Sequence, residues 1–90
     1  MTGHKWWKAP IAEVANEDGS KSIQVVSRGT PLFLPGMIAH VPKWMDIPWA
    51  LVRTPEAISG IRDWQPLDSA NFKAEFETIF GRAPSSGEGP

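Results

Sequence analysis

Ninety residues, 41% hydrophobic and 21% charged, describe one small globular domain with a single core, and eight glycines and nine prolines stay below the share that marks low-complexity chains. A net charge of −1, with four basic and three acidic groups in residues 1–30 and five and seven in residues 31–90, lacks the positive excess that general binding to nucleic acid or anionic membranes requires. The absence of cysteine removes disulfides, thiolate metal centres and a cysteine nucleophile together, and leaves five tryptophans with no tyrosine as the unusual term.

The first eight residues carry His4, Lys5 and Lys8, but no apolar run of signal-peptide length precedes Pro10, so the expected location is the cytoplasm of the producing cell. Residues 5–15, KWWKAPIAEVA, and 22–27, SIQVVS, are rich in aromatic and β-branched residues. Between them Asp18-Gly19 is a turn signal, because glycine accepts positive φ without a Cβ clash, and a β-hairpin is expected. Pro10 has no N–H, which puts the first strand at a sheet edge or breaks it there.

Residues 31–48, PLFLPGMIAHVPKWMDIP, hold four prolines and ten apolar residues. The prolines forbid a continuous helix, and a bilayer span needs about 20 unbroken apolar residues, so no membrane span is expected. Pro35-Gly36 fits the centre of a type II turn, with short strands at 32–34 and 37–41 on either side.

WALVR, residues 49–53, reads as a central strand. Thr54-Pro55-Glu56 then supplies a cap, a proline at the first helical position and an acid in the first turn of a short helix ended by Gly60. Residues 61–67 return as a strand carrying Trp64 and closed by Pro66. The seven-residue link between these strands is short for a parallel crossover of about 10–12 residues, which favours antiparallel or non-adjacent placement.

Asp68 or Ser69 caps the last helix, in which Phe72, Phe76, Ile79 and Phe80 share one face. Gly81 ends it, Pro84 prevents its resumption, and residues 83–90, APSSGEGP, have the composition of a flexible tail behind a single domain of residues 1–82. The expected fold is α+β. A small, mostly antiparallel sheet, made of the N-terminal hairpin plus two or three further strands, packs against one C-terminal amphipathic helix and one short helix.

Chemistry-bearing patterns are sparse. His4 and His40 are the only histidines, and neither has a partner at metal-motif spacing; Asp46 is the nearest acid downstream of His40. No serine stands in a G-x-S-x-G elbow, and Gly29, Gly36 and Gly60 form no phosphate-cradling loop. Glu75 and Glu77, two apart on a helix, point to different faces. The expectation is a non-enzymatic chain with no cofactor and no metal, a site built on His40 and Asp46 being the weakest alternative.

The aromatic residues are more informative. Trp6 and Trp7 are consecutive in a strand, so their rings point to opposite faces of the sheet, and one helix covers only one face. The other ring is exposed, covered by residues 31–48, or buried against another chain. Interface anchors are often tryptophan, and Trp6, Trp7, Phe33, Trp44 and Met45 are the candidates here, for a protein partner or for self-association. The alternative is a small nucleic-acid-associated regulator in which bases stack on Trp6 and Trp7 while Lys5 and Lys8 meet phosphates, helped by Lys21 and Arg28 if the hairpin brings them near.

The aromatic opening strand KWWKAPIAEV, the Asp-Gly hairpin, the later strand WALVR, the helix start TPEAI and the return strand ending DWQPL together resemble small uncharacterised proteins encoded in the structural gene clusters of tailed bacteriophages. The resemblance spans residues 5–67 and leaves the C-terminal helix outside it. It implies a virion-associated or assembly role through protein–protein contact, without catalysis, and transfers no functional residues.

Overall fold

The computed structural model describes residues 5–55 and 63–90. Among them the chain forms a six-stranded antiparallel sheet and one helix: β1 (Trp6–Ala15), β2 (Lys21–Ser27), β3 (Thr30–Pro31), β4 (Ile38–His40), β5 (Trp49–Arg53), β6 (Gln65–Leu67) and α1 (Ser69–Phe80). The strand order is β3-β2-β1-β5-β4, with β6 also on β1.

β1 organises the sheet. Its first half pairs with β5, Trp6 opposite Arg53 and Pro10 opposite Trp49, and its second half pairs with β2, Ile11 opposite Val25 through Ala15 opposite Lys21. β6 joins β1 at Trp6, Trp7 and Lys8. β5 and β6 therefore flank β1 on opposite edges, parallel to each other but not adjacent, so of the two placements expected from their short link, antiparallel or non-adjacent, the second is the one found.

Pro10 does not put β1 at an edge; the strand is central. Successive residues of a strand send their N–H groups to opposite edges, and the N–H of Ile11 donates to the carbonyl of Pro48 on the β5 side at 3.2 Å. The nitrogen of Pro10 thus faces the other edge, at the gap where β6 has ended and β2 has not begun, and no ladder bond is lost. Pro66 does not close its strand either. It lies inside β6, which among the described residues pairs only with β1, and its missing donor falls on the edge that faces away from β1.

The hairpin forms around Gly19 at φ 88°, with the N–H of Asn16 bonded to the carbonyl of Ser20 at 2.7 Å. A second, tighter turn links β2 to β3 through Arg28 and Gly29, both at positive φ, the pattern whose twist matches two-residue hairpins. The strand expected at 32–34 is displaced: the bridge to β2 occurs at Thr30 and Pro31, and the chain then leaves for the turn at Pro35-Gly36, closed by the N–H of Met37 on the carbonyl of Leu34 at 3.0 Å. The second short strand survives as β4. Residues 56–60 of the short helix expected after Thr54, and the start of the strand expected at 61, fall outside the described residues; the strand itself begins at Gln65, so Trp64 precedes it rather than lying within it.

α1 begins and ends as its residues dictate. The Asp68 carboxylate accepts the N–H of Asn71 at 2.8 Å, and Gly81, left-handed at φ 72°, returns its N–H to the carbonyl of Glu77 at 2.9 Å. The pleat of β1 divides the core in two. Trp6, Leu51 and Leu67 meet Phe72 and Phe76 of the helix on one face. On the other face, Trp7, Ala9, Ile11, Val25, Ala50, Val52 and Trp64 form a second cluster, against which Leu32, Met37, Ala39 and Val41 pack. Residues 31–48 thus cover much of the face that the helix leaves open. No described helix is long and apolar enough to cross a membrane.

Candidate functional site

Trp6 and Trp7 are both 7% exposed and hold the two clusters together. The Trp6 ring lies 4.3 Å from Phe72 and stacks on His40 at 5.5 Å, 15° from parallel. The Trp7 indole N–H donates to the Thr54 hydroxyl at 3.3 Å, and Thr54 in turn donates its backbone N–H to the carbonyl of Lys5 at 2.8 Å. Both rings belong to the interior, so neither is presented as an anchor for a partner or as a platform for a base. Burial on both faces of β1 is the reason.

The basic residues proposed beside them do not converge. Lys8 is engaged within the chain, its ammonium 3.3 Å from the Glu75 carboxylate and 3.8 Å above the Trp49 ring. Lys21 stands opposite Ala15, at the far end of β1, roughly 23 Å from Lys8 by strand rise. Arg28 sits in the β2–β3 turn, where the Asp63 carboxylate accepts its backbone N–H at 2.6 Å and the Ser27 hydroxyl at 3.0 Å. These bonds, the Arg28 N–H first, hold the Asp63 carboxyl below its ordinary range.

His40 is a packing residue with one committed nitrogen. Its ring stacks on Trp6 and meets Phe76 and Phe80 edge-on at 5.7 and 6.5 Å. Its Nε2 lies 2.8 Å from the carbonyl oxygen of Glu88; a carbonyl only accepts, so Nε2 carries the proton. Asp46 is exposed and makes no hydrogen bond or ion pair with His40. Among the described residues no group of three or more metal-capable side chains is gathered.

The His40 contact also anchors the end of the chain. Glu88 receives both terminal nitrogens of Arg82 at 2.7 and 2.9 Å, and the N–H and hydroxyl of Ser85. Together these donors, Arg82 foremost, hold the Glu88 carboxyl far below its usual range. Gly89 lies so close to Phe72 that an added Cβ would come within 2.7 Å of the ring. Residues 83–90, expected as a flexible tail, make these contacts against the helix and the sheet.

The other anchor candidates are presented to solvent. Phe33 is 74% exposed, Trp44 73%, and Met45 is exposed beside it. Each ring borders an apolar hollow. One, of about 360 Å³, opens between β2 and β4 and is walled by Val25, Leu32, Phe33, Met37, Ala39 and Val41, with Gln24 the polar side chain among its lining residues. The second, of about 340 Å³, is formed by Val41, Pro42, Trp44 and Ile47 against Ile79 and Phe80 of α1, with Lys43 and Asp46 at its margin. The two hollows share Val41, but the first opens among residues of the Trp7 cluster and the second against the helix, on the other face of the sheet.

Reasoning on the sequence placed Phe33, Trp44 and Met45 but did not single out Val41, Leu32 or Met37. The signal available was the proline-broken apolar run itself. Where prolines prevent regular pairing, apolar side chains cannot all turn inward, and the run is left half in the core and half on the surface. Comparison with protein-family models, with curated proteins and with solved structures gives no match to this chain.

Proposed function

We propose that this chain is a non-catalytic contact module whose working surface is the stretch of residues 31–48. The observation that carries the reading is that one short segment holds two exposed rings, Phe33 and Trp44, each bordering an apolar hollow that the segment helps to line, while Trp6, Trp7 and Trp64 are consumed by the core. Exposed aromatic rings set beside apolar hollows are the kind of surface that marks interaction sites. Burying such a ring in a fitted pocket is worth about 2 kcal/mol or more, enough to make Phe33 and Trp44 dominant anchors. The resemblance to proteins of bacteriophage structural gene clusters supports a role in assembly, with the chain made in the cytoplasm and carried into the particle.

The test is a double variant, Phe33→Ser with Trp44→Ser, compared with the native chain in extracts of the producing cells. The native chain is expected to migrate in a complex on gel filtration. The variant, with an unchanged circular dichroism spectrum, is expected to migrate at its own mass. Identical migration of the two proteins overturns the reading.

A further inference from the structure

We infer that the hollow between β2 and β4 is a strand-addition site: a short extended segment of the partner protein pairs with the outer edge of β4 through the main chain of Ala39 and seats alternate apolar side chains in the hollow. The inference rests on the contact reading above and deepens it for the hollow that Phe33 borders.

The main chain of β4 names the occupant as a strand. β4 ends the strand order, and its neighbour among the described residues is β5. Just past β5, Thr54 directs its N–H to Lys5 on the β1 side at 2.8 Å; successive residues alternate, so Arg53 and Leu51 face β4, where Ile38 and His40 stand opposite them. Ile38 and His40 thus hold β4 to β5, and Ala39 between them turns its N–H and C=O to the open edge. Met37, two residues earlier, points the same way and has a partner there, the carbonyl of Leu34 at 3.0 Å. Ala39 has none among the described residues. An extended chain laid along this edge brings one carbonyl and one N–H to Ala39, whereas a compact apolar molecule in the hollow leaves both unmet.

The hollow sets the side chains. Met37, Ala39 and Val41 alternate along the chain and all line it, with Leu32 and Phe33 on the opposite wall. An added strand shares this alternation, so every second side chain of the segment lies over the hollow. Its 360 Å³ is large beside the roughly 30 Å³ that one water occupies in the liquid, which leaves room for aliphatic side chains. No ionisable residue lines it, so a charged side chain placed there is stripped of water without a counter-ion. The positions that face the hollow are therefore apolar.

The edge is also short. Pro35 and Pro42 bracket it and offer no N–H, which confines pairing to residues 37–41. Prolines beside an exposed strand are a common means of preventing open-ended sheet growth, and here they leave space for a brief segment only.

A panel of blocked hexapeptides in which valine, leucine or phenylalanine alternates with threonine, titrated into the ¹⁵N-labelled native chain, tests the inference. Saturable shifts of the Ala39 and Val41 amides and slowed hydrogen exchange at the Ala39 N–H are expected. The tightest peptide is then N-methylated at alternate residues in its two possible phases. The phase that blocks the nitrogens facing β4 is expected to weaken binding about tenfold or more, and the other phase to bind as the parent does. A panel that leaves the Ala39 amide unmoved overturns the inference. So does equal binding by both methylated forms, which would show that the hollow takes apolar groups without the edge. If no peptide binds while the native chain still migrates in a complex that the Phe33 and Trp44 double variant loses, strand addition falls and the contact reading stands. If that complex is absent too, both fall.

Discussion

Trp6 and Trp7, neighbours in the chain and buried to the same extent, share no core: Trp6 packs on Phe72 of the helix, and Trp7 is in the opposite cluster, bonded to Thr54. Two consecutive large rings in one strand oblige the fold to build a layer on each side of the sheet. The helix supplies one layer, and residues 31–48 together with Trp64 supply the other.

Each ring is consequently a structural element. Trp6→Ala and Trp7→Ala are expected to cost about 3–5 kcal/mol apiece, the range for removing a large buried aromatic. Trp44→Ala, measured on the dilute protein by urea denaturation, should stay within about 0.5 kcal/mol of the native chain. Equal losses at Trp6 and Trp44 would contradict the assignment of one to the core and the other to the surface.

The C-terminal segment is fitted to the core beneath it. Gly89→Ala places a methyl group against the Phe72 ring, which is 1% exposed and has no room to withdraw. A loss of about 1–3 kcal/mol is expected from this overpacking. His40→Ala, which removes the bond to the Glu88 carbonyl and the ring stacked on Trp6, should destabilise in the same direction. Hydrogen exchange at residues 85–89 would report whether both variants release the segment.

Acid should weaken the molecule through specific carboxylates. Asp63, Asp18 and Glu88 are all held below their ordinary values of 3.8, 3.8 and 4.5 by hydrogen bonds, chiefly from the Arg28 N–H, the Ser20 hydroxyl and the Arg82 guanidinium respectively. Such a group is still ionised in the folded chain at a pH where the unfolded chain already binds a proton. Its stabilising effect is therefore whole above the unfolded value and is lost as pH falls through the folded one. The urea midpoint is expected to hold from pH 7 to about 5 and to fall below about 4. Asp63→Asn with Glu88→Gln should lower the midpoint at pH 7 and flatten the acid limb; an unchanged acid limb would show that other groups govern it.

The helix start offers a local check. Asp68 satisfies the N–H of Asn71, one of the donors an α-helix leaves unpaired at its first turn. Asp68→Ala should cost about 1 kcal/mol and Asp68→Ser much less, read from thermal unfolding.

Elements whose cause is local were legible in the residues: the Asp18-Gly19 hairpin, the WALVR strand, the Pro35-Gly36 turn and the capped helix with its phenylalanine face. Features set by distant pairing were not. Pro10 reads as an edge residue until the gap between β2 and β6 is known, and β3 lies at Thr30 and Pro31 because the Arg28-Gly29 turn sets its register. The candidate surface was half legible for the same reason. Period-2 alternation separates Trp6 from Trp7, but only the path of residues 31–48 over the sheet decides that the Trp7 face closes within the chain and that Phe33 and Trp44 remain outside.

Iodide quenching of tryptophan emission tests the central claim most directly, because it reports which indoles reach water. The account predicts that Trp44 supplies most of the quenchable emission, with a smaller share from half-buried Trp49, and that Trp44→Phe removes the larger share while leaving Trp6, Trp7 and Trp64 protected. Quenching as strong in Trp44→Phe as in the native chain would contradict it.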